Sequence, residues 1–538
     1  MSRIGFRRSI AHAVLPWLLS AAAAGLAVAA DRPAAPPQPL STEEVGRPLT
    51  LEDAIAGALA KNEGILIERT SVDSADASVE GAKGAYDPLL AVDLGWRSMT
   101  LPVNSAFSGA PEGELAPTDR NAGATASLEQ LLPTGGRVAV SADSFRDTTD
   151  DAFALLSPAY QTRLGLELRQ PLLRDRAIDA ARVAVRVAAA DREEAGESLQ
   201  REVADTVAAV ERAYWLVVAT RRAIGVQEDA VDLASQQLEE TDARIESGAA
   251  PETEAAQPRA ELERRRGDLL ATLEVASRAE NMLKELILGD DPAAWAERLE
   301  PVDEIAIEPE TVDIAQSMDR ALESRPEIQA AEAFAKRRRA EAAFARNQVQ
   351  PALDLVLGYD RFGLAGTANP EGSGIPGLPG EVPPELDGGY SDALGQLGEG
   401  DFDDARIALQ LAVPIGNRTA RAAARVADNA EVQAEAEVRR LRKAIRAEVL
   451  DAAAATATAG ARIDAARASR EAAEVQLAAE TERFQAGLST NFLVLTRQND
   501  LAAARLDEIE ALTDYRIALT AMSRATGSLL DERRIVID

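Results

Sequence analysis

The stretch LGLELRQPLLRDRAIDAARVAV (164–185) changes its period at Pro171. Ahead of the proline, Leu164, Leu166 and Leu168 oppose Arg163, Glu167 and Arg169, the period-two pattern of a strand with one apolar face. Behind it, no proline occurs from Leu172 to Ala250, and Val203, Val207, Val210, Tyr214 and Val217 recur at helical spacing in a run rich in Ala, Glu and Arg. About 70 residues at 1.5 Å each predict a rod of roughly 100 Å. That is too long for a globular helix and suggests a coiled coil. A strand that feeds directly into such a rod makes sheet and helices parts of one wall.

The same junction recurs. IALQLAVPIGNRTARAAARVAD (407–428) aligns with 164–185, Pro414 standing opposite Pro171, and no proline follows Ile415. Residues 58–96 align without a gap with 321–359, DPLLAVDLGW matching QPALDLVLGY. RIESGAAPETEA (244–255) aligns with RFQAGLSTNFLV (483–494), Gly248 opposite Gly487. Three anchors in one order divide the chain into two structural repeats, 49–300 and 301–538. Each repeat reads helix, strands, very long helix, glycine turn, returning helix. The glycines, near 248 and 487, suit the C-terminal ends of the rods. The shorter helices (about 62–86 and 326–349) and the returning ones (about 254–288 and 491–526) predict paired struts, two shorter helices lying along each rod.

Strands are expected at 89–97, 163–169, 353–360 and 406–413. Leu90, Val92, Leu94 and Trp96 share one face, as do Leu353, Leu355, Leu357 and Tyr359, and Ile407, Leu409, Leu411 and Val413. Alternation over about ten residues, apolar against charged, is what a membrane barrel needs. Segment 123–146, turning at Pro133-Thr134-Gly135-Gly136, reads as an additional hairpin without a counterpart in the second repeat, so four strands or six are expected per chain. Outer loops would be 99–122, 147–160 and 361–404. Within the last, 362–404 holds eleven Gly, nine acids and no Lys or Arg, a composition that cannot build a core. So few strands cannot close a barrel alone. Open edges in lipid leave backbone groups unpaired, so the chain must oligomerise through them. The fold class is mainly α with a membrane β-barrel, its helices extending the wall as a tube.

Composition narrows the function. The 538 residues carry a net charge of −31, no Cys and one His. Nucleic acid is a poor partner for such a chain. Disulfides, thiolate metal sites and cysteine nucleophiles are excluded. Residues 1–30 read as a secretory signal: Arg3, Arg7 and Arg8, an apolar run, then the small-residue end Ala-Val-Ala-Ala (27–30). His12 lies in that segment, so the mature chain would lack both residues on which most triads, zinc sites and neutral-pH bases depend. Residues 31–48 are a Pro-rich linker. No later stretch suits a transmembrane helix.

On these residues the chain resembles the TolC family of outer-membrane efflux proteins over roughly 49–530. The resemblance rests on the duplicated plan, on QPLLRD and VPIGNR at the strand-to-rod junctions, and on RIESGAAPETEA and RFQAGLSTNFLVL at the rod tips. It implies a homotrimer: a barrel in the outer membrane continuing into a periplasmic α-helical tunnel. It further implies passive export of drugs, toxic compounds or secreted proteins. The chain would be the exit duct of a tripartite pump or a type I secretion system, with a periplasmic adaptor and an inner-membrane transporter as partners. The family's adaptor-docking turns match Ser247, Gly248 and Ala249, and Ala486, Gly487 and Leu488. Plain helix capping explains the same glycines. The family's entrance-narrowing acids match Glu252 and Glu254; first-turn acids of a returning helix are the plainer reading. The equivalent positions of the second repeat, Leu493 and Thr496, depart from the acidic pattern.

Two other functions compete. A barrel-anchored coiled-coil stalk without transport explains rods and strands, but not charges on the same face of every strand or matched glycine tips. An enzyme would have to use carboxylates such as Asp403 and Asp404, which in an acidic loop are ordinarily just solvated. A Walker A loop is absent, no cofactor is expected, and the chain is read as a non-enzyme.

Overall fold

The computed structural model describes residues 46–102, 109–111, 114–305, 313–370, 372 and 382–537. The expected signal peptide (1–30) and the linker up to 45 lie outside the described residues. Arg47 and Pro48, read as the end of the linker, instead form a strand, β1 (Arg47–Leu49), paired in parallel with β6 (Leu299–Pro301).

Four helical struts stand side by side. The first rod, α3 (Ala180–Glu246), has 67 residues, and the second, α9 (Arg418–Gln485), has 68. Asp179 caps α3 by accepting the Arg182 N–H at 2.8 Å. Along α3 lie first α2 (Glu63–Lys83), joined through Arg192–Asp76, then α4 (Ala256–Ile287), joined through Arg221–Glu280. Along α9 lie α7 (Pro326–Gln348), joined through Arg346–Asp428, then α10 (Asn491–Thr526), joined through Arg470–Glu508. The repeats meet where α3 packs against α7 and α10, through Lys336–Glu193, Arg337–Asp191 and Arg505–Asp229. The struts therefore run in the order α2 with α4, α3, α7 with α10, α9. Among the described residues neither outermost strut has a neighbouring strut on its far side. Leu270 and Val275 of α4, and Val426, Val432 and Val475 of α9, are exposed.

The main core sits midway along α3. There α1 (Leu51–Lys61), β1 and β6 cover Val207, Val210, Tyr214 and Val217. The Tyr214 hydroxyl donates to Asp303 at 2.6 Å and lies 3.0 Å from the Leu49 carbonyl. Glu211, 1% exposed, accepts from Thr520 of α10 at 2.5 Å and from Arg533 at 2.6 Å. These contacts tie β1, the segment after β6 and the C-terminal segment to the rod. The described helices include none long and apolar enough to cross a membrane.

Six strands form one antiparallel sheet in the order β2 (Leu89–Thr100), β3 (Thr118–Leu131), β4 (Arg137–Thr149), β5 (Leu156–Pro171), β7 (Ala352–Ala368) and β8 (Asp403–Ala412). Of the two expected counts, six holds. The strand order follows the strut order, because α2 leads into β2, β5 into α3, α7 into β7 and β8 into α9.

Several strands outrun their expected ends, so the loops read as 99–122 and 147–160 are shorter than expected. The apolar alternation stops before the backbone pairing does: Arg120 still pairs with Thr148, and Asp119 with Thr149. Where both faces of a sheet meet water the apolar period is lost while the backbone keeps pairing.

Segment 362–404 is also corrected. It continues β7 to Ala368 and holds a helix, α8 (Tyr390–Glu399). Ala393 of α8 is fully buried on the sheet, its carbonyl accepting from Thr162 at 2.9 Å. Gly363 permits this approach, since a Cβ there would lie 1.9 Å from that carbonyl oxygen. The glycines that read as disorder include one that makes room for packing.

Candidate lumen and docking tips

Directly opposed residues of antiparallel strands share a face. One row across all six strands is Leu90, Leu128, Val140, Leu166, Tyr359 and Ala405. Other residues of that face, Val92, Leu94, Trp96, Ile407, Leu409 and Leu411, are 59–80% exposed. An exposed apolar face spanning a whole sheet is surface that water does not favour.

The other face is a ladder of ions. Arg163 donates to Asp143 at 3.3 Å and to Asp360 at 2.8 Å. Arg169 reaches Asp354 at 2.7 Å, and Arg406 reaches Glu167 at 3.1 Å. Asp147 accepts from Asn121 at 2.5 Å and from Gln161 at 3.0 Å. Alternation places each of these groups on the polar side; which cation meets which anion depends on register, so the pairs were not readable from sequence. Asp403 and Asp404 are successive residues of β8 and so project to opposite faces, which removes them as a working carboxylate pair.

At the opposite end, both rods finish in the same turn. The Ala249 N–H donates to the Arg244 carbonyl at 2.8 Å and the Gly248 N–H to Ile245 at 2.9 Å. In the second repeat, Leu488 donates to Arg483 at 2.8 Å and Gly487 to Phe484 at 2.9 Å. This is the Schellman pattern, which needs a left-handed residue, and Gly248 and Gly487 both have φ +74°. Ser247, Gly248, Ala249, Ala486, Gly487 and Leu488 are all exposed.

Glu252 and Glu254 are exposed in a 3-10 turn (Glu252–Ala255), ahead of α4, which starts at Ala256 rather than at 254. They therefore precede the returning helix instead of occupying its first turn. Leu493 and Thr496 lie in the first two turns of α10.

The two tips also touch, which sequence reading missed. The Arg244 guanidinium stands 5.3 Å from the centre of the Phe484 ring, a cation–π contact. Asn491 donates to Thr241 at 3.3 Å, and Arg264 of α4 donates to Asn499 of α10 at 2.8 Å. The second and third contacts bridge the repeats between groups of no special motif. Only the aligned repeats hinted that such positions could be neighbours.

Comparison with known proteins adds to this geometry. Residues 318–528 match the profile of the family described as outer membrane efflux protein. No curated protein matches the chain in sequence. The fold is that of several solved channels. The Campylobacter jejuni outer membrane channel CmeC superposes with a TM-score of 0.62 at 14% identity, covering 89% of this chain and 86% of that one. A membrane protein from Pseudomonas aeruginosa gives 0.60 at 20% identity, over 89% and 93%. The open state of the Neisseria gonorrhoeae outer membrane channel MtrE gives 0.59 at 16% identity, over 89% of each.

Proposed function

We propose that this chain, whose residues 318–528 match the outer membrane efflux protein family, works as a homotrimeric exit duct. Its barrel lies in the outer membrane and its helices form a periplasmic tunnel. The observation that carries this reading is the shared order of strands and struts. Each wall strut continues a strand, and over the stretch where the apolar period holds the sheet is apolar on one face and ionic on the other. Lipid takes the first face and a watery lumen the second. The edges of β2 and β8 cannot remain open in lipid, where each unpaired backbone group costs several kcal/mol.

Cargo passes passively, and an inner-membrane transporter supplies the energy through a periplasmic adaptor. The adaptor docks on the two glycine turns, which offer exposed backbone and, at Leu488, an exposed apolar side chain. Docking opens the tips only if the adaptor binds the open arrangement more tightly than the closed one. The Arg244–Phe484, Asn491–Thr241 and Arg264–Asn499 contacts hold the closed arrangement together within each chain. Three copies of Glu252 and Glu254 ring the entrance with carboxylate, drawing cations and repelling anions.

The reading is tested in planar bilayers. The purified protein is expected to conduct with a preference for cations; a protein that inserts and conducts nothing is not a duct. Glu252→Gln combined with Glu254→Gln is expected to weaken the cation preference. An unchanged reversal potential in a salt gradient would remove these carboxylates from the gate and leave the duct standing.

A further inference from the structure

The geometry points to a barrel of eighteen strands, three copies each contributing all six, sealed where β2 of one copy pairs antiparallel with β8 of the next. This rests on the trimeric duct proposed above and adds its seam, its register and its width.

The additional hairpin, β3 with β4, is part of the wall and not a flap. It is paired along its length on both sides, from Leu89↔Glu129 to Thr100↔Thr118 with β2, and from Arg137↔Arg169 to Asp147↔Ala159 with β5. Its apolar face continues that of its neighbours. Wall width agrees. Four struts at roughly 9–10 Å spacing occupy about 36–40 Å of perimeter per chain. Six strands about 4.8 Å apart, tilted by about 40°, occupy about 38 Å, whereas four would span about 25 Å. With six strands the sheet stands flush on the tunnel. Closed three-fold, its backbone diameter is about 36 Å, against about 24 Å for twelve strands. The membrane exit is then as wide as the tunnel beneath it.

The seam is visible in what the chain protects and what it leaves open. β7 overhangs β8, and the chain itself caps that overhang. The Phe362 N–H donates to the Phe402 carbonyl at 3.0 Å, and the Gly366 N–H to Leu386 at 2.9 Å. Gln396 takes both backbone groups of Leu364, at 2.8 and 3.0 Å. Blunting an edge in this way prevents wrong pairing. Among the described residues nothing covers the outer edges of β2 and β8, and these edges stand above the two unpartnered struts.

Face parity, charge and the matching of apolar side chains together select the register. Matching apolar faces leaves a few alignments. Setting Leu89 opposite Ala412 puts Leu90, Val92 and Leu94 opposite Leu411, Leu409 and Ile407, and Arg97 opposite Asp404. A slip of two residues one way sets Arg97 against Arg406, like charges face to face. The other way keeps an opposite-charge pair, Asp93 with Arg406, but sets Leu94 opposite Ala405 and Trp96 opposite Asp403, so fewer apolar side chains meet.

The chain has no Cys, so paired cysteines report cleanly. Val92→Cys with Leu409→Cys is expected to give disulfide-linked trimers on non-reducing gels. Val92→Cys with Ile407→Cys, or with Leu411→Cys, is expected to cross-link several-fold less. Dimers as the end product mean twelve strands, and open ladders mean no closure; either overturns the inference. Electron cryomicroscopy of the unmodified protein in nanodiscs supplies the second measurement. An end-on barrel about 36 Å across supports the inference. A three-fold hollow particle with a barrel near 24 Å defeats it while keeping the duct. A particle without a lumen defeats the duct reading itself.

Discussion

Leu409→Arg is expected to abolish stable insertion of the barrel, costing about 2–4 kcal/mol per copy, the penalty for a cation on the lipid face near the midplane. Leu409 lies within β8, opposite Leu355, and is 67% exposed. A closed ring repeats the penalty in every copy, so three small losses act on one assembly. Gln410→Arg moves the same charge one residue along. Gln410 faces Asp354 across the β7–β8 pair, on the ionic side. There the new guanidinium meets water and carboxylates, so little loss is expected. The comparison is made by urea titration of protein folded into lipid vesicles, following protease protection. Equal tolerance of both substitutions would mean that the apolar face does not meet lipid. That result would reverse the assignment of inside and outside on which the duct depends.

The sequence revealed whatever is periodic. Rods, junctions and strand faces are repeating patterns of apolar residues, and Leu164, Leu166 and Leu168 already name the apolar side. The duplication exposed both glycine turns because the same backbone problem is solved twice. Features that depend on contact between distant residues were hidden. Nothing in Arg163 names Asp143 and Asp360 as its partners, and nothing in Arg244 names Phe484. The packing of α8 was masked by its glycines, which composition reads as looseness. Strand ends were missed because the backbone keeps pairing after the apolar period has ceased. Of the candidate site, the position of Glu252 and Glu254 beside a tip was readable. Their neighbours across the chain were not.

Acid is expected to loosen the junction between the repeats by titrating Glu327. This carboxylate stands in the first turn of α7 and takes two hydrogen bonds from Arg325, at 2.7 and 3.0 Å. It takes a third from Arg524 of α10 at 2.8 Å. Arg325 also pairs with Glu448 of α9 at 2.9 Å, and Arg524 bonds Asp205 of α3 at 2.7 Å. The cluster thus joins three of the four struts. Burial pushes the Glu327 carboxyl upward, but the Arg325 hydrogen bonds and the charges of Arg325 and Arg524 outweigh it, leaving a pKa of about 2. In the unfolded chain a glutamate titrates near 4.3. The unfolded state therefore binds more protons between these values, and stability rises with pH across that window. The contribution, about 3 kcal/mol, is complete above about pH 5 and is lost as the pH falls towards 2. Glu327→Gln removes the charge at every pH and leaves Arg325, only 4% exposed, with Glu448 and the Ala525 carbonyl as its remaining partners, so the loss at neutral pH is about the 3 kcal/mol that the carboxylate contributes. Thermal loss of the helical signal should therefore separate the two proteins widely at pH 6 and much less at pH 3. A gap of constant size would show that Glu327 holds its proton alike in both states, and the junction would owe its strength to packing alone.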